Sequence, residues 1–429
     1  MKVFIATLGC KVNEVDSELY AQELAALGVG TTRALSEADA VVVNSCSVTS
    51  KAQAQSLQLV RRARRERPDA RVYLVGCGAA LLKLVGTEPP DGVTVIGMQE
   101  RGEVARLVSG RDANNFGPWP QQTLRSASIR NRVDVRVQEG CDNMCTYCIV
   151  PLVRGTRLAS KDAATVTEEI LGLARTGVKE VILTGTELGK YGEAPDQLAL
   201  LLDRVLTSLE EAGLPTRVRL SSLNPDAVSE LLVSQFVRHP ALCRQLHLPM
   251  QSGSDRILGR MRRPYTAAGL MESVDHLRSV DTLFSFTTDV IAGFPGETDE
   301  DFDETLDMVR IVGFAKVHVF PYSPRPFTAA AREQDSVSPW VKAERVHTML
   351  RAAELTGLAF GGRFVGGTVR IVTEEESPGT ARGYADAYLW TDASVAGGRL
   401  IERDRFLQVR VDGCHFEGGR VVLTGEAIE

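Results

Sequence analysis

No apolar run in this chain of 429 residues approaches the roughly 20 residues needed to cross a bilayer. The opening segment MKVFIATLGCKVN is apolar only briefly, carries no cleavage-site pattern and continues as a first strand. These absences lead to the expectation of a cytoplasmic protein with no signal peptide and no membrane partner. A basic excess is missing too. The formal charge is −6, which does not advertise nucleic-acid binding, and the cluster RRARRERPDAR reads first as a solvated helix face. Eight cysteines in a reducing compartment do not make a disulfide framework. What is present, 44% hydrophobic and 24% charged residues, describes an ordinary soluble globular chain. It is long enough for about two to four domains, each with its own core.

The first stretch, residues 1–110, alternates strand and helix signals. KVFIATLG, DAVVVNSCS, RVYLVGCG and VTVIGM read as strands, with helical spacing in NEVDSELYAQELAALG and AQAQSLQLVRRARRE. The pattern predicts an α/β domain with a mostly parallel sheet. Cys10, Cys46 and Cys77 each follow one of its first three strands. In such sheets the carboxyl strand ends share one crevice, so cysteines 36 and 31 residues apart in sequence are expected to converge there. Residues 111–131, rich in Gly, Pro, Asn and Ser, read as a linker. From 132 to 361 six strand candidates follow: VDVRVQ, EVILTG, RVRLSS, QLHLPM, FTTDVIAG and KVHVFPY. Six βα units predict a partial TIM-like barrel. Residues 362–429 become glycine-punctuated and strand-like (GGTVRIV, GYADAYLW, FLQVRV, RVVLTG), which predicts a small all-β barrel.

In EGCDNMCTYCIVP, Cys141, Cys145 and Cys148 follow the first strand of the predicted partial barrel. Thiolates at this spacing can bind three irons of a cubic iron–sulfur cluster and leave the fourth iron open. The competing reading is a zinc site completed by a remote residue, although the sequence offers no second paired C-x2-C unit. Cys243 and Cys414 stand alone and read as incidental buried thiols.

C-x3-C-x2-C at this place resembles the signature of the radical S-adenosylmethionine (SAM) enzymes. The resemblance extends over nearly the whole chain to the methylthiotransferases. It rests on TLGCKVN, VNSCSVTSKA and VGCGA in the first domain. In the core it rests on GCDNMCTYCIVPLVRG, LTGTELGKYG, RLSSLNP, LHLPMQSGSDRILGRMRRPYT, DVIAGFPGETDEDF and HVFPYSPRPFTAAA. It implies an N-terminal α/β domain, a partial (βα)6 radical SAM barrel and a C-terminal barrel similar to the RNA-binding TRAM module. It implies two 4Fe–4S clusters, one on the catalytic cysteines Cys141, Cys145 and Cys148 and an auxiliary one on Cys10, Cys46 and Cys77. SAM is then both methyl donor and radical source. Tyr147 is implied at the adenine or as packing, and Glu187 at the SAM amino group, a role that backbone carbonyls also fit. Ser221, Ser222 and Gln251 are implied at ribose or carboxylate, and Asp289 at the adenine edge or in a structural role. Arg154 is implied at the SAM carboxylate, an RNA phosphate or a surface salt bridge. RGTRLAS departs from the RGRSRS common in the family, which keeps Arg157 matched and puts one basic contact in doubt.

Three branches share this plan, acting on isopentenyladenosine in tRNA, threonylcarbamoyladenosine in tRNA, or an aspartate of a ribosomal protein. LGCKVN resembles the threonylcarbamoyl branch, where the others tend to read GCQMN and GCPKN. The expected partner is therefore tRNA carrying threonylcarbamoyladenosine, with an electron donor and a sulfur source implied beside it. The expected reaction replaces a strong C2–H bond with C2–SCH3, which explains a radical cofactor. From Phe360 onward there are eight arginines, no lysines and eleven acidic residues, a charge that does not favour phosphate. The rival of another class is a non-catalytic iron–sulfur protein that binds RNA or transfers electrons; it has no use for IAGFPGE or for two open cluster sites.

Overall fold

Valine-rich runs bounded by glycine and polar residues open the chain, and in this computed structural model they form a five-stranded parallel sheet. The structure describes residues 1–111, 121–124 and 132–428. The strands are β1 (Lys2–Thr7), β2 (Gly30–Thr32), β3 (Ala40–Ser45), β4 (Arg71–Val75) and β5 (Val93–Val95), in the order β2-β1-β3-β4-β5. Helices α1 (Lys11–Ala26), α2 (Ser50–Glu66), α3 (Gly76–Val85) and α4 (Val104–Ser109) lie between and after them. β3 is buried along its whole length, as a central parallel strand covered on both faces must be. β2 is the strand that sequence reading did not expect, because GTT has no apolar alternation and is fixed only by its register with β1.

Of the segment read as a linker, residues 112–120 and 125–131 lie outside the described residues. Leu124 is buried, and its amide donates to Glu169 Oε1 at 2.7 Å.

The second array comprises β6 (Arg132–Glu139), α5 (Val150–Arg154), β7 (Ala159–Ser160), α6 (Ala163–Arg175), β8 (Glu180–Gly185), α7 (Gln197–Glu211) and β9 (Arg217–Leu220). It continues through α8 (Glu230–Arg238), β10 (Gln245–His247), α9 (Asp255–Met261), α10 (Ala267–Val280), β11 (Ser285–Ala292), α11 (Asp299–Val312) and β12 (Lys316–Pro321). β6, β8 and β9 form one parallel ladder and β10, β11 and β12 another; the pairs Val218–Leu242 and Ser222–His247 join them into an open barrel of six parallel strands. The alternation along each strand is informative. Val133, Val135 and Val137 of β6, Val181 and Leu183 of β8, and Val218 and Leu220 of β9 enter the large core shared with the helices. By the two-residue period their neighbours Arg132, Asp134, Arg136, Gln138, Arg217 and Arg219 face the barrel interior. The lumen is therefore lined with polar and charged groups.

Helix α12 (Pro339–Gly362) leads to β13 (Thr368–Thr373), β14 (Ser377–Pro378), β15 (Thr380–Ala385), β16 (Trp390–Ser394), β17 (Leu400–Ile401), β18 (Phe406–Glu417) and β19 (Arg420–Ile428). Five of these close a barrel in the order β13-β15-β16-β19-β18. GYADAYLW, read from sequence as one strand, is a hairpin. β15 stops at Ala385, and Tyr388, at φ +61°, turns the chain into β16.

Arg217 and Arg219 fasten this small barrel to the floor of the larger one. Glu180 accepts from Arg217 Nε at 2.6 Å and from Arg219 Nε at 2.9 Å. The same two guanidiniums reach Tyr384 O at 2.8 Å, Asp386 O at 2.8 Å and Asp386 Oδ1 at 2.7 Å. Burial pushes the Glu180 carboxyl up, but Arg217, Arg219 and Arg132 outweigh it and hold it far below its ordinary value. Glu180→Gln leaves this buried positive cluster short of its counter-charge and is expected to cost about 3–5 kcal/mol. Because the folded value lies below the unfolded one near about 4.3, that contribution is full above it and is lost as pH falls toward the folded value. Urea denaturation of parent and variant at several pH values checks this: the gap should be largest near neutrality and close in acid.

Candidate functional site

The first cysteine group sits where parallel strand order predicts a crevice. Cys10 caps α1 after β1, Cys46 follows β3, and Cys77 lies in the first turn of α3 after β4. β1, β3 and β4 are adjacent, so the three cysteines share one sheet edge. The approach is close. A Cβ on Gly9, at φ +105°, would come within 2.9 Å of the Cys46 Sγ. Asn13 ties the loops together, its Nδ2 donating to Leu8 O at 2.8 Å and to Ser45 O at 3.1 Å. Cys46 and Cys77 are buried, and burial pushes the Cys77 thiol up to about 12.

The second group lies on the loop between β6 and α5. Cys141 and Cys145 are buried and Cys148 is partly so. The loop is held from outside itself: Thr146 N donates to Met261 O at 3.0 Å, and Ala330 N donates to Thr146 O at 2.8 Å. Burial pushes the Cys141 thiol to about 11 and the Cys148 thiol to about 12. Arg263 Nη1 donates to Cys145 Sγ at 3.2 Å, and its Nε to the Tyr265 hydroxyl at 2.8 Å.

Both groups fit clusters better than single ions. Among the described residues no three His, Cys, Asp or Glu side chains converge to hold one metal ion. A cubane places each thiolate on a separate iron, so its ligands need not converge on one point. Each group also has a guanidinium N–H on one of its sulfurs, a donor suited to an anionic thiolate-bound cluster.

Glu187, after β8, stands beside the second group. Its Oε2 lies 4.0 Å from Cys141 Sγ and accepts from Asn143 at 2.7 Å and Asn224 at 3.1 Å. Burial pushes its carboxyl up to about 7. Asp289 lies deeper, 3.3 Å from His247 Nε2, whose Nδ1 meets Thr287 Oγ1 at 3.0 Å. Gln251 holds φ +65° and bonds through its amide to Asp289 O at 2.8 Å, so its backbone shapes the β10–β11 mouth. Ser221 is buried and bonds through its amide to Leu183 O at 3.0 Å, whereas Ser222 is exposed. Tyr147 packs against the apolar cluster of Ile257, Met261 and Phe294, with Arg263 Nη1 3.5 Å from its hydroxyl.

Arg154 makes no surface bridge, since its side chain is 2% exposed. Its Nε donates to Cys77 Sγ at 3.1 Å, Nη1 to Glu139 at 3.0 Å, and Nη2 to Asn13 Oδ1 at 2.6 Å and Asp16 at 2.9 Å. The helix that begins just after Cys148 thus reaches across to the other cysteine group. Sequence reasoning missed Arg263, Asn224, Asn143 and His247. All four lie inside motif blocks already quoted; Asn143, Asn224 and His247 stand at or shortly after strand ends, and Arg263 just after α9. The isolated Cys243 is buried beneath the barrel, and Cys414 packs against Gly361.

The sequence matches the model of the Uncharacterized protein family UPF0004 over residues 2–94 and that of the Radical SAM superfamily over residues 135–309. It is 36% identical to the threonylcarbamoyladenosine tRNA methylthiotransferase MtaB of Thermotoga maritima, over 97% of this chain and 95% of that one. It is 32% identical to the tRNA-2-methylthio-N(6)-dimethylallyladenosine synthase of Endomicrobium trichonymphae, over 87% and 89% of the two chains. Among solved structures it resembles TsrM, a radical S-adenosylmethionine methyltransferase from Kitasatospora setae, with a TM-score of 0.56 over 77% and 75% of the chains. At 16% identity this likeness is one of fold alone.

Proposed function

Starting from the chain's membership of the radical SAM tRNA methylthiotransferases, we propose that it acts on N6-threonylcarbamoyladenosine beside the tRNA anticodon, converting C2–H to C2–SCH3. Enzymes of this family use SAM and 4Fe–4S clusters, two in the methylthiotransferases. In this reading Cys141, Cys145 and Cys148 hold one cluster and Cys10, Cys46 and Cys77 the auxiliary one. When bound, the clusters supply the electron that cleaves SAM and the site from which sulfur is delivered. One SAM gives up its methyl group and leaves as S-adenosylhomocysteine, and the other is split to methionine and 5′-deoxyadenosine, which carries away the former C2 hydrogen.

The chain's own residues would do the rest. Glu187, steadied by Asn143 and Asn224, is suited to accept the SAM amino group. Arg263 sets the charge at Cys145. Asp289, His247, Ser221 and Gln251 line the mouth through which adenosine ribose and base approach. The C-terminal barrel is the proposed tRNA contact, and the protein's proposed place is the cytoplasm.

The polar lumen carries the choice of substrate. Arg132, Arg136, Gln138, Arg219, His247 and Asp289 make the described lumen polar and charged, a better match for threonylcarbamoyl than for isopentenyl. Threonylcarbamoyl brings a carboxylate and a hydroxyl that a polar lumen can hydrogen-bond, whereas isopentenyl brings none. The test offers the reconstituted enzyme tRNA with threonylcarbamoyladenosine, tRNA with isopentenyladenosine and a ribosomal-protein substrate in competition. Preference for the first by about a hundredfold is expected; preference for either other overturns the substrate and leaves the family standing.

A further inference from the structure

Resting on that substrate reading, we infer that the Lys11 ammonium, at the start of α1 beside Cys10, is the group that receives the threonyl carboxylate of the modified adenosine. A carboxylate inside a barrel needs a cation that is not already neutralised. Most lumen cations are committed. Arg132 pairs with Glu374 at 2.8 Å, Arg136 with Asp16 at 2.5 Å, and Arg217 and Arg219 share Glu180. Arg154 is divided among Asp16, Glu139 and Cys77. Arg263 is held by Cys145 and Tyr265, and Arg325 by Ser50 and Gln53. Lys316 opens into a separate cavity of about 350 Å³ with His347, Arg351 and Arg420.

Lys11 is different. It makes no ion pair or hydrogen bond among the described residues, and its Nζ stands 5.9 Å over the Tyr388 ring. Tyr388 projects from the turn between β15 and β16 and is also met by Arg132 at 5.6 Å and Arg219 at 5.1 Å. Lys11 therefore shares the lumen with two inward-facing arginines whose charge is already balanced. Burial pushes the Tyr388 phenol up, yet Lys11, Arg132 and Arg219 hold it below its ordinary value. The position also suits the chemistry. Lys11 directly follows Cys10 in the chain, as the first residue of α1. C2 must come to the proposed sulfur-bearing site, and the N6 substituent lies on the same edge of the adenine ring.

Binding needs no turnover, so the test uses equilibrium binding of tRNA to the reconstituted full chain. Four tRNAs are compared: one with threonylcarbamoyladenosine, one whose threonyl carboxylate is converted to the amide, one with isopentenyladenosine and one with unmodified adenosine. The parent should prefer the carboxylate over the amide by about tenfold or more. Lys11→Gln should lose that preference while binding the amide as the parent does, and Lys11→Arg should keep it. Iron content equal to the parent's shows that the auxiliary site is intact in each variant. A carboxylate preference undiminished in Lys11→Gln overturns the role of Lys11 while leaving the substrate reading in place. A parent that favours isopentenyladenosine overturns the substrate reading itself, and Lys11's role with it.

Discussion

Alanine at Cys141, Cys145 and Cys148 together is expected to abolish reductive cleavage of SAM, whereas alanine at Cys10, Cys46 and Cys77 should preserve cleavage and abolish the methylthio product. The division follows from geometry. The first group lies on one loop, with Glu187 4.0 Å from Cys141 Sγ and so within reach of anything chelated there. The second is assembled from three strand ends of a different sheet, and its sulfurs meet the Val48 amide, Asn13 and Arg154 rather than a carboxylate. Each triple variant removes every thiolate from one site, so each should keep about half of the parent's iron. The substitutions are small, and the loops are held by contacts that do not use sulfur, such as Thr146 to Met261 and Asn13 to Leu8. The fold should therefore survive them. Measuring 5′-deoxyadenosine, methylthio nucleoside and iron on the same preparations checks the division. Parental 5′-deoxyadenosine formation by the Cys141, Cys145 and Cys148 variant would refute it, and so would parental methylthiolation by the other.

How much of this was legible beforehand varied with the range of the interaction. Most strands of both parallel arrays were visible, β3 and β4 as nearly continuous apolar runs and β6 and β9 as alternating ones, bounded by glycine or polar residues. β2 was not, since three residues without apolar alternation carry no local signal and are fixed by a neighbour. GYADAYLW was misread because its aromatic and aliphatic residues on either side of Asp386 favour strand; the positive φ of Tyr388 marks the turn that divides it. The cysteines were legible through their spacing and strand-end positions. Their supporting cations were not. Whether Arg154 or Arg263 meets a given carboxylate or sulfur depends on how two sheets pack, which no local pattern encodes. The polar lumen was hidden in plain alternation: Arg132, Asp134 and Arg136 interleave with valines, yet only the packing of those valines against helices reveals which face is inside.

Arg154→Met should weaken both the fold and the auxiliary site, and by unequal amounts. The side chain is 2% exposed and divides its donors among four partners from two domains. Removing one partner of a buried ion pair generally costs about 3–5 kcal/mol, because the other charge is stranded. Here the carboxylates are not fully stranded. Asp16 keeps Arg136 at 2.5 Å, and Glu139 keeps Arg101 at 3.2 Å. The cost to folding should then fall near the lower end, about 3 kcal/mol. Among the described residues Cys77 Sγ has no second cation within bonding distance, and Asn13 Oδ1 loses its guanidinium outright. The loss at the auxiliary site should accordingly exceed the loss at the core site, seen as iron released from one site while reductive SAM cleavage persists. Lysine should not rescue it, since a single ammonium cannot reach partners spread around a planar fork. A double-mutant cycle between Arg154→Met and Cys77→Ala isolates the sulfur contact. Coupling of about 1 kcal/mol or more in urea denaturation places the guanidinium on the sulfur; strict additivity would mean that Arg154 serves only the carboxylates and that the bridge between the two cysteine groups is structural.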